Sequence, residues 1–233
     1  MKYAILADIH ANLQALQAVL QDMKSQACTH AACLGDIVGY NANPKECLDI
    51  IRGMNIPCVK GNHDEYCSTD EPLDGFSPNA AEVVRWTREQ LTAEDRQWLR
   101  DLPLVQEVAG FVIVHATLDG PKRWGYVFDK LAAAASFTYQ RASVCFFGHT
   151  HIPVAFVRDT MVRGGTYTKF KVESAKQYFV NPGAVGQPRD NNPKAAYATC
   201  DMESQVIELR RVDYDIPGAQ GAIVASGLPR KLK

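Results

Sequence analysis

The chain has 233 residues, with 25 Lys and Arg against 26 Asp and Glu, and a formal net charge of −1. Its hydrophobic content of 46% allows a sizeable buried core, and its balanced charge disfavours proteins that coat nucleic acid or anionic lipid. No apolar stretch approaches the roughly 18 residues of a membrane-spanning helix, and the first strand begins too early for a signal peptide. Seven cysteines without a CxxC pair are typical of reduced thiols. We therefore expect a cytoplasmic protein with no membrane partner, folded as a single domain over 1–233 with a peripheral tail at 216–233.

Strands and helices alternate in the first part of the chain. Short apolar runs without polar alternation predict strands covered on both faces; they occupy residues 3–7, 31–34, 56–59, 111–114 and 144–147. Apolar residues at helical spacing predict a helix between the first two runs: Leu13, Leu16, Leu20 and Met23. Further helix starts are indicated at Asn43-Pro44, Ser77-Pro78 and Thr92. This order predicts an α/β fold with βαβ units.

Strand signals dominate the second part. Runs at 154–158, 177–180, 195–200 and 206–212 predict a more antiparallel sheet. After Ile216, the mixture of Pro, Gly and basic residues predicts a short helix followed by a frayed end.

Polar residues follow the apolar runs where those runs end. They are Asp8, His10, Asp36, Asn62, His63, His115, His149 and His151. Ligands of open α/β sheets bind outside the carboxyl ends of the strands, so we expect these side chains to cluster above one sheet edge. Side chains two residues apart on an extended chain point to the same side. This spacing predicts two ligand pairs, Asp8 with His10 and His149 with His151.

The chemistry of this set favours metal ions. Four of these imidazoles (His10, His115, His149 and His151), together with two carboxylates and an amide, are too many ligands for one tetrahedral ion, and they suit two ions that share a carboxylate. Nitrogen-rich sites favour Mn, Fe, Zn, Co or Ni over Ca and Mg. Two divalent ions bring +4 and two carboxylates bring −2, so the site keeps about +2 and favours an anionic phosphate ester over a neutral peptide.

These motifs, taken together, resemble the calcineurin-like metallophosphoesterases. The matching segments are Asp8-Ile9-His10, Gly35-Asp36, Gly61-Asn62-His63-Asp64, His115 and Gly148-His149-Thr150-His151. Residues 35–40 and 181–189 are similar to a branch of small bacterial and archaeal phosphodiesterases. The resemblance spans roughly residues 1 to 215.

The resemblance implies a four-layer α/β/β/α sandwich with the metals at one edge. It implies two divalent transition-metal ions bridged by Asp36, with Asp8, His10 and His151 on one ion and Asn62, His115 and His149 on the other. His63 would be the general acid for the leaving alkoxide, or a cation that stabilises the developing charge. A hydroxide between the ions would attack phosphorus in line.

Substrate contacts are less sharply indicated, and each has a structural alternative. Asn12 is a candidate for a phosphate contact or for a helix cap. Arg189 is a candidate for bidentate phosphate binding or for an ordinary surface residue. Trp124 and Tyr126 are candidates for stacking on a base or for anchoring a loop to the core.

The sequence favours hydrolysis of a small phosphodiester or nucleotide. A nuclease of the same chemistry is disfavoured because the chain has no basic stripe for long nucleic acid. A protein phosphatase and a non-catalytic scaffold of the same fold stay open as alternatives, as does a homo-oligomeric state.

Overall fold

The computed structural model describes residues 1–74 and 76–229. Its helices are α1 (Leu13–Ser25), α2 (Pro44–Gly53), α3 (Asn62–Ser68), α4 (Pro78–Gln90), α5 (Ala93–Asp101), α6 (Lys130–Phe137) and α7 (Ile216–Ala225). Its strands are β1 (Lys2–Leu6), β2 (His30–Cys33), β3 (Val105–Val108), β4 (Phe111–Val114), β5 (Val144–Phe146), β6 (Val154–Arg158), β7 (Val162–Gly165), β8 (Lys169–Lys171), β9 (Gln177–Asn181), β10 (Ala195–Asp201) and β11 (Val206–Val212). Among these residues, no helix has both the length and the apolar character that crossing a bilayer requires.

The strands form two sheets. The first has the order β2-β1-β10-β11-β8, and the second has the order β3-β4-β5-β9-β6-β7. The pairs β1–β2, β4–β5 and β5–β9 are parallel, whereas the remaining pairs are antiparallel. The strands of the second half therefore extend both sheets, instead of forming the separate, more antiparallel sheet that the sequence predicts.

Burial on both faces of the sheets explains the continuous apolar runs. In β1, Tyr3 and Ile5 pack toward the second sheet, while Ala4 and Leu6 pack against residues of α1 such as Leu16. The outer face of the second sheet packs on α6 through a further apolar cluster. Helices, sheet, sheet and helix thus make the four layers of the predicted α/β/β/α sandwich.

Most predicted elements are confirmed, and the exceptions have local causes. Residues 56–59 were expected to form a strand, but only one parallel bridge forms, between Cys33 and Cys58. Pro57 has no N–H to donate to a ladder, and the chain then turns into α3. The helix after Ile216 is confirmed as α7, which packs against α1; of the expected frayed end, residues 230–233 lie outside the described part of the chain.

All seven cysteines are free thiols, as predicted, and all but Cys28 are buried. The cysteines therefore act as small apolar residues in this core.

Candidate metal centre and substrate cleft

The predicted ligands meet at one end of the sandwich, and they come from both sheets. Loops after β1 and β2 of the first sheet supply Asp8, His10 and Asp36. Loops after β4 and β5 of the second sheet supply three more histidines, and the first turn of α3 supplies Asn62. The expectation of a cluster above one sheet edge is therefore corrected, because the carboxyl ends of two facing sheets contribute to it.

The two ligand pairs converge by a different backbone route from the predicted one. β1 ends at Leu6, and Asp8 and His10 both have left-handed backbones, with φ of 53° and 48°. His149 and His151 do the same, with φ of 66° and 59°. Extended alternation was the wrong reason for the pairing. Such conformations cost roughly 1–3 kcal/mol each and persist at sites where the surrounding structure enforces them.

Hydrogen bonds between the loops hold these backbones in place. The Asp8 N–H donates to the Gly35 carbonyl at 3.1 Å, and the His10 N–H donates to the Asp36 carbonyl at 2.9 Å. The His149 N–H donates to the Asp8 carboxylate, at 3.1 Å from each oxygen. Each loop is thus oriented by another loop of the site.

The donor atoms form two groups that share one carboxylate. Asp36 Oδ2 lies 3.5 Å from His10 Nε2 and 3.4 Å from His115 Nε2. Atoms within 4.8 Å of one another define the groups Asp8, His10, Asp36, His151 and Asp36, His115, His149. Asn62 Oδ1 adjoins the second group, 3.1 Å from His115 Nε2. Asp36 therefore has the position that a bridging ligand needs.

Backbone carbonyls set the orientation of three imidazoles. The Nδ1 atoms of His10, His115 and His151 lie 3.2, 2.8 and 2.7 Å from the carbonyls of Val38, Leu34 and Gln187. Since a carbonyl only accepts, Nδ1 carries a proton in each of the three rings, and the Nε2 atoms of His10 and His151 turn a lone pair inward. This is the arrangement found around metal-ligating histidines.

Three of the inward-facing nitrogen atoms lack ordinary partners. His10 Nε2 and His151 Nε2 face each other at 3.0 Å, and two lone pairs in this arrangement require a proton or a cation between them. His149 Nε2 is buried and has no hydrogen-bond partner within residues 1–74 and 76–229. The residues present therefore fit divalent metal ions.

Burial keeps three of these histidines neutral. It lowers the pKa of His10 and of His151 well below the usual range, and the nearby Arg189 guanidinium lowers that of His151 further. Burial, followed by the charge of His115, lowers the pKa of His149 to about 3. Neutral imidazole is the form that binds a metal, so no proton has to leave these groups.

Asp36 and His115 form a buried ion pair. Burial alone would raise the pKa of Asp36 and lower that of His115, but their mutual attraction, together with neighbouring charges and hydrogen bonds, outweighs burial in both cases. The pKa of Asp36 consequently lies well below its usual range, and that of His115 is raised to about 10. A metal ion that binds here replaces the His115 proton as the partner of the carboxylate.

Asp64 holds the two central loops together, a role that sequence reasoning missed. Its buried carboxylate accepts hydrogen bonds from the N–H groups of Asp36 (2.7 Å), Ile37 (2.9 Å) and Gly61 (3.0 Å). A Cβ at Gly61 would overlap the Asp36 carboxylate, so the loops approach this closely only at glycine. The signal was an acidic residue at the third position of a helix, which is where N-terminal N–H groups need acceptors.

His63 lies over the cluster without joining it. Its backbone N–H donates to Asp36 Oδ1 at 2.8 Å, and its ring contacts His10 edge-on at 4.9 Å between centroids. Its buried Nδ1 atom has no partner in the described part of the chain. Burial lowers the pKa of His63, so the imidazole is neutral in the free site.

A cleft of about 340 Å³ opens beside the cluster and contains both predicted stacking residues. Its lining residues are Tyr40, Asn62, His63, Tyr66, Phe76, Ser77, Ala80, Trp124, Tyr126 and His149. Tyr126 stacks on His149 with ring centroids 4.2 Å apart, and Trp124 meets His115 edge-on at 5.9 Å. Sequence reasoning assigned no role in the site to Tyr40, Tyr66 or Phe76, because their positions depend on packing between distant segments.

The other two candidate contacts lie elsewhere on the rim. The side chain of Asn12 caps α1 by accepting from the Ala15 N–H at 3.0 Å, which confirms the helix-cap alternative. Its amide also donates to the Gly186 carbonyl at 2.9 Å. The exposed Arg189 places its guanidinium 5.7 Å from the centre of the Tyr40 ring.

Comparison with known proteins identifies the family. The sequence profile of the Calcineurin-like phosphoesterase superfamily domain matches residues 1–205. The chain belongs to the calcineurin-like phosphoesterases. An uncharacterized protein of Methanocaldococcus jannaschii is 39% identical to this phosphoesterase over 235 residues, which cover 98% of this chain and 94% of the relative.

Solved structures support the fold of this phosphoesterase. The crystal structure of a metallophosphoesterase from Sphaerobacter thermophilus has a TM-score of 0.86 and 37% sequence identity, and the match covers 100% of this chain and 96% of that chain. A hypothetical protein from Pyrococcus horikoshii OT3 has a TM-score of 0.79 and 21% identity, covering 99% and 95%. The buried Asp and His cluster of this phosphoesterase fits the divalent metals of its family.

Proposed function

We propose that this phosphoesterase hydrolyses a small phosphodiester or nucleotide, using two divalent transition-metal ions. The position of Asp36 is the observation that supports this most strongly, because one carboxylate oxygen lies about equally far from two histidine groups. Two-metal sites are a recurring solution for phosphoester hydrolysis.

The assignment of ligands follows the two groups. Asp8, His10 and His151 would hold one ion, Asn62, His115 and His149 would hold the other, and Asp36 would bind both. When bound, two such ions supply a nucleophile that is ionised near neutral pH and positive charge for the phosphoryl oxygens. The candidate metals are Mn, Fe, Zn, Co and Ni, because all of them accept mixed nitrogen and oxygen ligands.

His63 is positioned to act on the leaving group. Its ring lines the cleft, and the bond from its backbone N–H to Asp36 fixes it relative to the bridging carboxylate. A bound phosphate would raise the lowered pKa of His63, since a neighbouring negative charge favours imidazolium. The imidazolium then gives its proton to the departing alkoxide, or stabilises the charge that develops there.

Arg189 would supply a positive charge for a phosphoryl oxygen at the rim of the metal centre. Its backbone N–H donates to the His151 carbonyl at 3.2 Å, which keeps the side chain beside the first ligand group. Its guanidinium donates to the Gln187 amide oxygen at 2.8 Å and lies over Tyr40. A bidentate contact with phosphate would require this guanidinium to turn from Gln187 toward the metals.

Metal content and turnover measured together test this proposal. Chelator-stripped protein is reloaded with Mn²⁺, and the bound metal is counted by elemental analysis. Hydrolysis of bis(p-nitrophenyl) phosphate and p-nitrophenyl phosphate is then followed with and without chelator. We expect two ions per chain and turnover that chelator abolishes. The variant His30→Ala, which removes an exposed histidine outside the cluster, is the matched control and keeps both properties.

Two results would contradict the proposal. Metal binding without turnover of any ester would favour a non-catalytic scaffold of this fold. Turnover that survives complete removal of metal would exclude the two-metal reaction.

A further inference from the structure

Aromatic side chains from two segments of the chain line the cleft beside the metal centre. Tyr66, in α3, and Phe76, just before α4, form one wall, with their rings perpendicular and 4.6 Å apart. Trp124 and Tyr126, in the loop after β4, also line the cleft. We call the space lined by these four rings the aromatic cleft.

The aromatic cleft is held in register with the metal centre. Tyr126 stacks on the ligand His149 with an angle of 22° between the ring planes. Trp124 contacts the ligand His115, and its left-handed backbone at φ 53° turns the chain there. A group that packs on these rings is consequently placed at a set distance from the reacting phosphorus.

His63 indicates which part of a substrate enters the aromatic cleft. The imidazole that serves the leaving group is itself a lining residue, together with Asn62 of the second ligand group. The departing alkoxide must therefore lie at the mouth of the aromatic cleft, and the rest of the leaving group must extend into it.

The charge of the cleft lining favours a neutral leaving group. Among the described residues, the lining of the cleft includes no Lys or Arg. Two cations lie outside this lining: Lys122 is 73% exposed, and Arg189 lies over Tyr40 beside the first ligand group. A neutral planar group would find aromatic rings in the cleft, whereas a chain of further phosphates or an acidic peptide would find its cations only outside the lining.

Size narrows the choice further. A volume of about 340 Å³ lies at the lower end of the usual range of about 300–1,000 Å³ for small-molecule sites. It suits one base with its sugar and not two stacked bases. The hydroxyl groups of Tyr66, Ser77 and Tyr126 add donors and acceptors at the edge of such a group.

We infer that the aromatic cleft is the subsite for the nucleoside of a nucleoside monophosphate ester, with the base packed against Phe76, Trp124 and Tyr126 and the nucleoside as leaving group. This inference rests on the proposed function, because it assigns the leaving group of that same reaction. Base stacking on aromatic side chains is sequence-tolerant, so the subsite accepts purines and pyrimidines alike.

A matched pair of substrates isolates the base. Adenosine 5′-phosphate and ribose 5-phosphate share the scissile bond and the sugar, and so do their 5′-methyl diesters. We expect kcat/KM to be higher for the adenosine member of the hydrolysed pair by roughly 5- to 150-fold, which corresponds to the stacking of one base.

Variants of Phe76 test the wall that sequence reasoning missed. Phe76→Leu keeps an apolar side chain and removes the ring, so the ratio of kcat/KM for the adenosine ester to that for the ribose ester should fall toward unity. Phe76→Tyr should keep the preference. Tyr139→Ala removes an aromatic ring that is 63% exposed outside the cleft, and it should leave every constant unchanged.

A binding measurement without turnover separates this inference from the proposed function. Adenosine should quench the tryptophan fluorescence of the metal-free protein, and Trp124→Phe should abolish the quenching while Trp86 and Trp98 still emit. Quenching with no ester hydrolysis would support the subsite and overturn the proposed function. Hydrolysis of bis(p-nitrophenyl) phosphate with no quenching and equal kcat/KM within each pair would overturn the subsite and leave the proposed function standing.

Discussion

Replacing Asp64 with Asn removes the carboxylate that joins the two central loops of the metal centre. One oxygen of Asp64 accepts from the N–H groups of Asp36 and Gly61, and the other accepts from Ile37 at 2.9 Å and Val38 at 3.3 Å. Asparagine keeps one acceptor oxygen and places an NH₂ group at the other position. Two backbone donors then face a donor instead of an acceptor, in a site with no exposure to water.

The size of the effect follows from these two lost bonds. Burial raises the pKa of Asp64 to about 7, so the comparison is made above that pH, where the side chain is a carboxylate. A hydrogen bond to a charged group contributes about 1.5–3 kcal/mol, so the variant should lose about 3–6 kcal/mol of unfolding free energy there. For a protein of this length, each kcal/mol lowers Tm by about 2–4 °C, which gives a decrease of about 6–24 °C. The loosened Asp36 loop should also weaken metal binding by about 10- to 100-fold, as is usual when a group that orients a ligand is lost.

Thermal unfolding of the metal-stripped protein and Mn²⁺ titration by calorimetry measure the two effects separately. Asp70→Asn is the matched control, because Asp70 follows the same helix but its side chain is 83% exposed; it should change neither quantity. If Asp64→Asn has the same Tm as the wild type and binds Mn²⁺ equally well, then Asp64 does not hold the loops together.

Four further predictions concern the ligands, the acid and the stability of the fold. Asp36→Asn should reduce the metal bound and abolish turnover, and a variant with two ions and full rate would disprove the bridging role. His63→Ala should slow hydrolysis of alkyl esters by about 10²- to 10⁴-fold and of nitrophenyl esters far less, since only the alkoxide needs a proton; equal losses would exclude a general acid. Mn²⁺ at 100 times its Kd should stabilise the stripped wild type by about 2.7 kcal/mol per site, or roughly 5–11 °C in Tm, and Asp36→Asn much less; equal shifts would place the metal elsewhere. Burial acts to raise the pKa of Asp22, but hydrogen bonds from Arg210 and Tyr197 lower it overall. The contribution of the Asp22 carboxylate to the free energy of unfolding is therefore present above about pH 4 and is lost as the pH falls through the folded pKa. Asp22→Asn should cost more stability in urea at pH 7 than at pH 3, and an equal cost at both would refute this.

The elements that the sequence predicts well are those with strong local signals. Asn12, Ser77 and Thr92 are all N-caps, because each side chain accepts a hydrogen bond from the helix that follows it. The elements missed are short or lie at sheet edges. β7 ends in two glycines, β8 is a three-residue edge strand, and half of α6 is alanine, without an apolar period. Their formation depends on neighbours that no local pattern shows.

By itself, the order of residues determined which groups cluster at the metal centre. Asp, His and Asn follow the carboxyl ends of buried apolar strands, and those ends lie together in the fold. Only the tertiary structure decided that two facing sheets supply them, that Asp36 is shared between two groups, and that Phe76 and Tyr126 line one cleft. The physical reason is the separation along the chain over which each interaction acts. Side-chain type and helix capping act within a few residues, whereas Asp64 finds its partners 26 to 28 residues away, through backbone N–H groups that every residue type except proline carries.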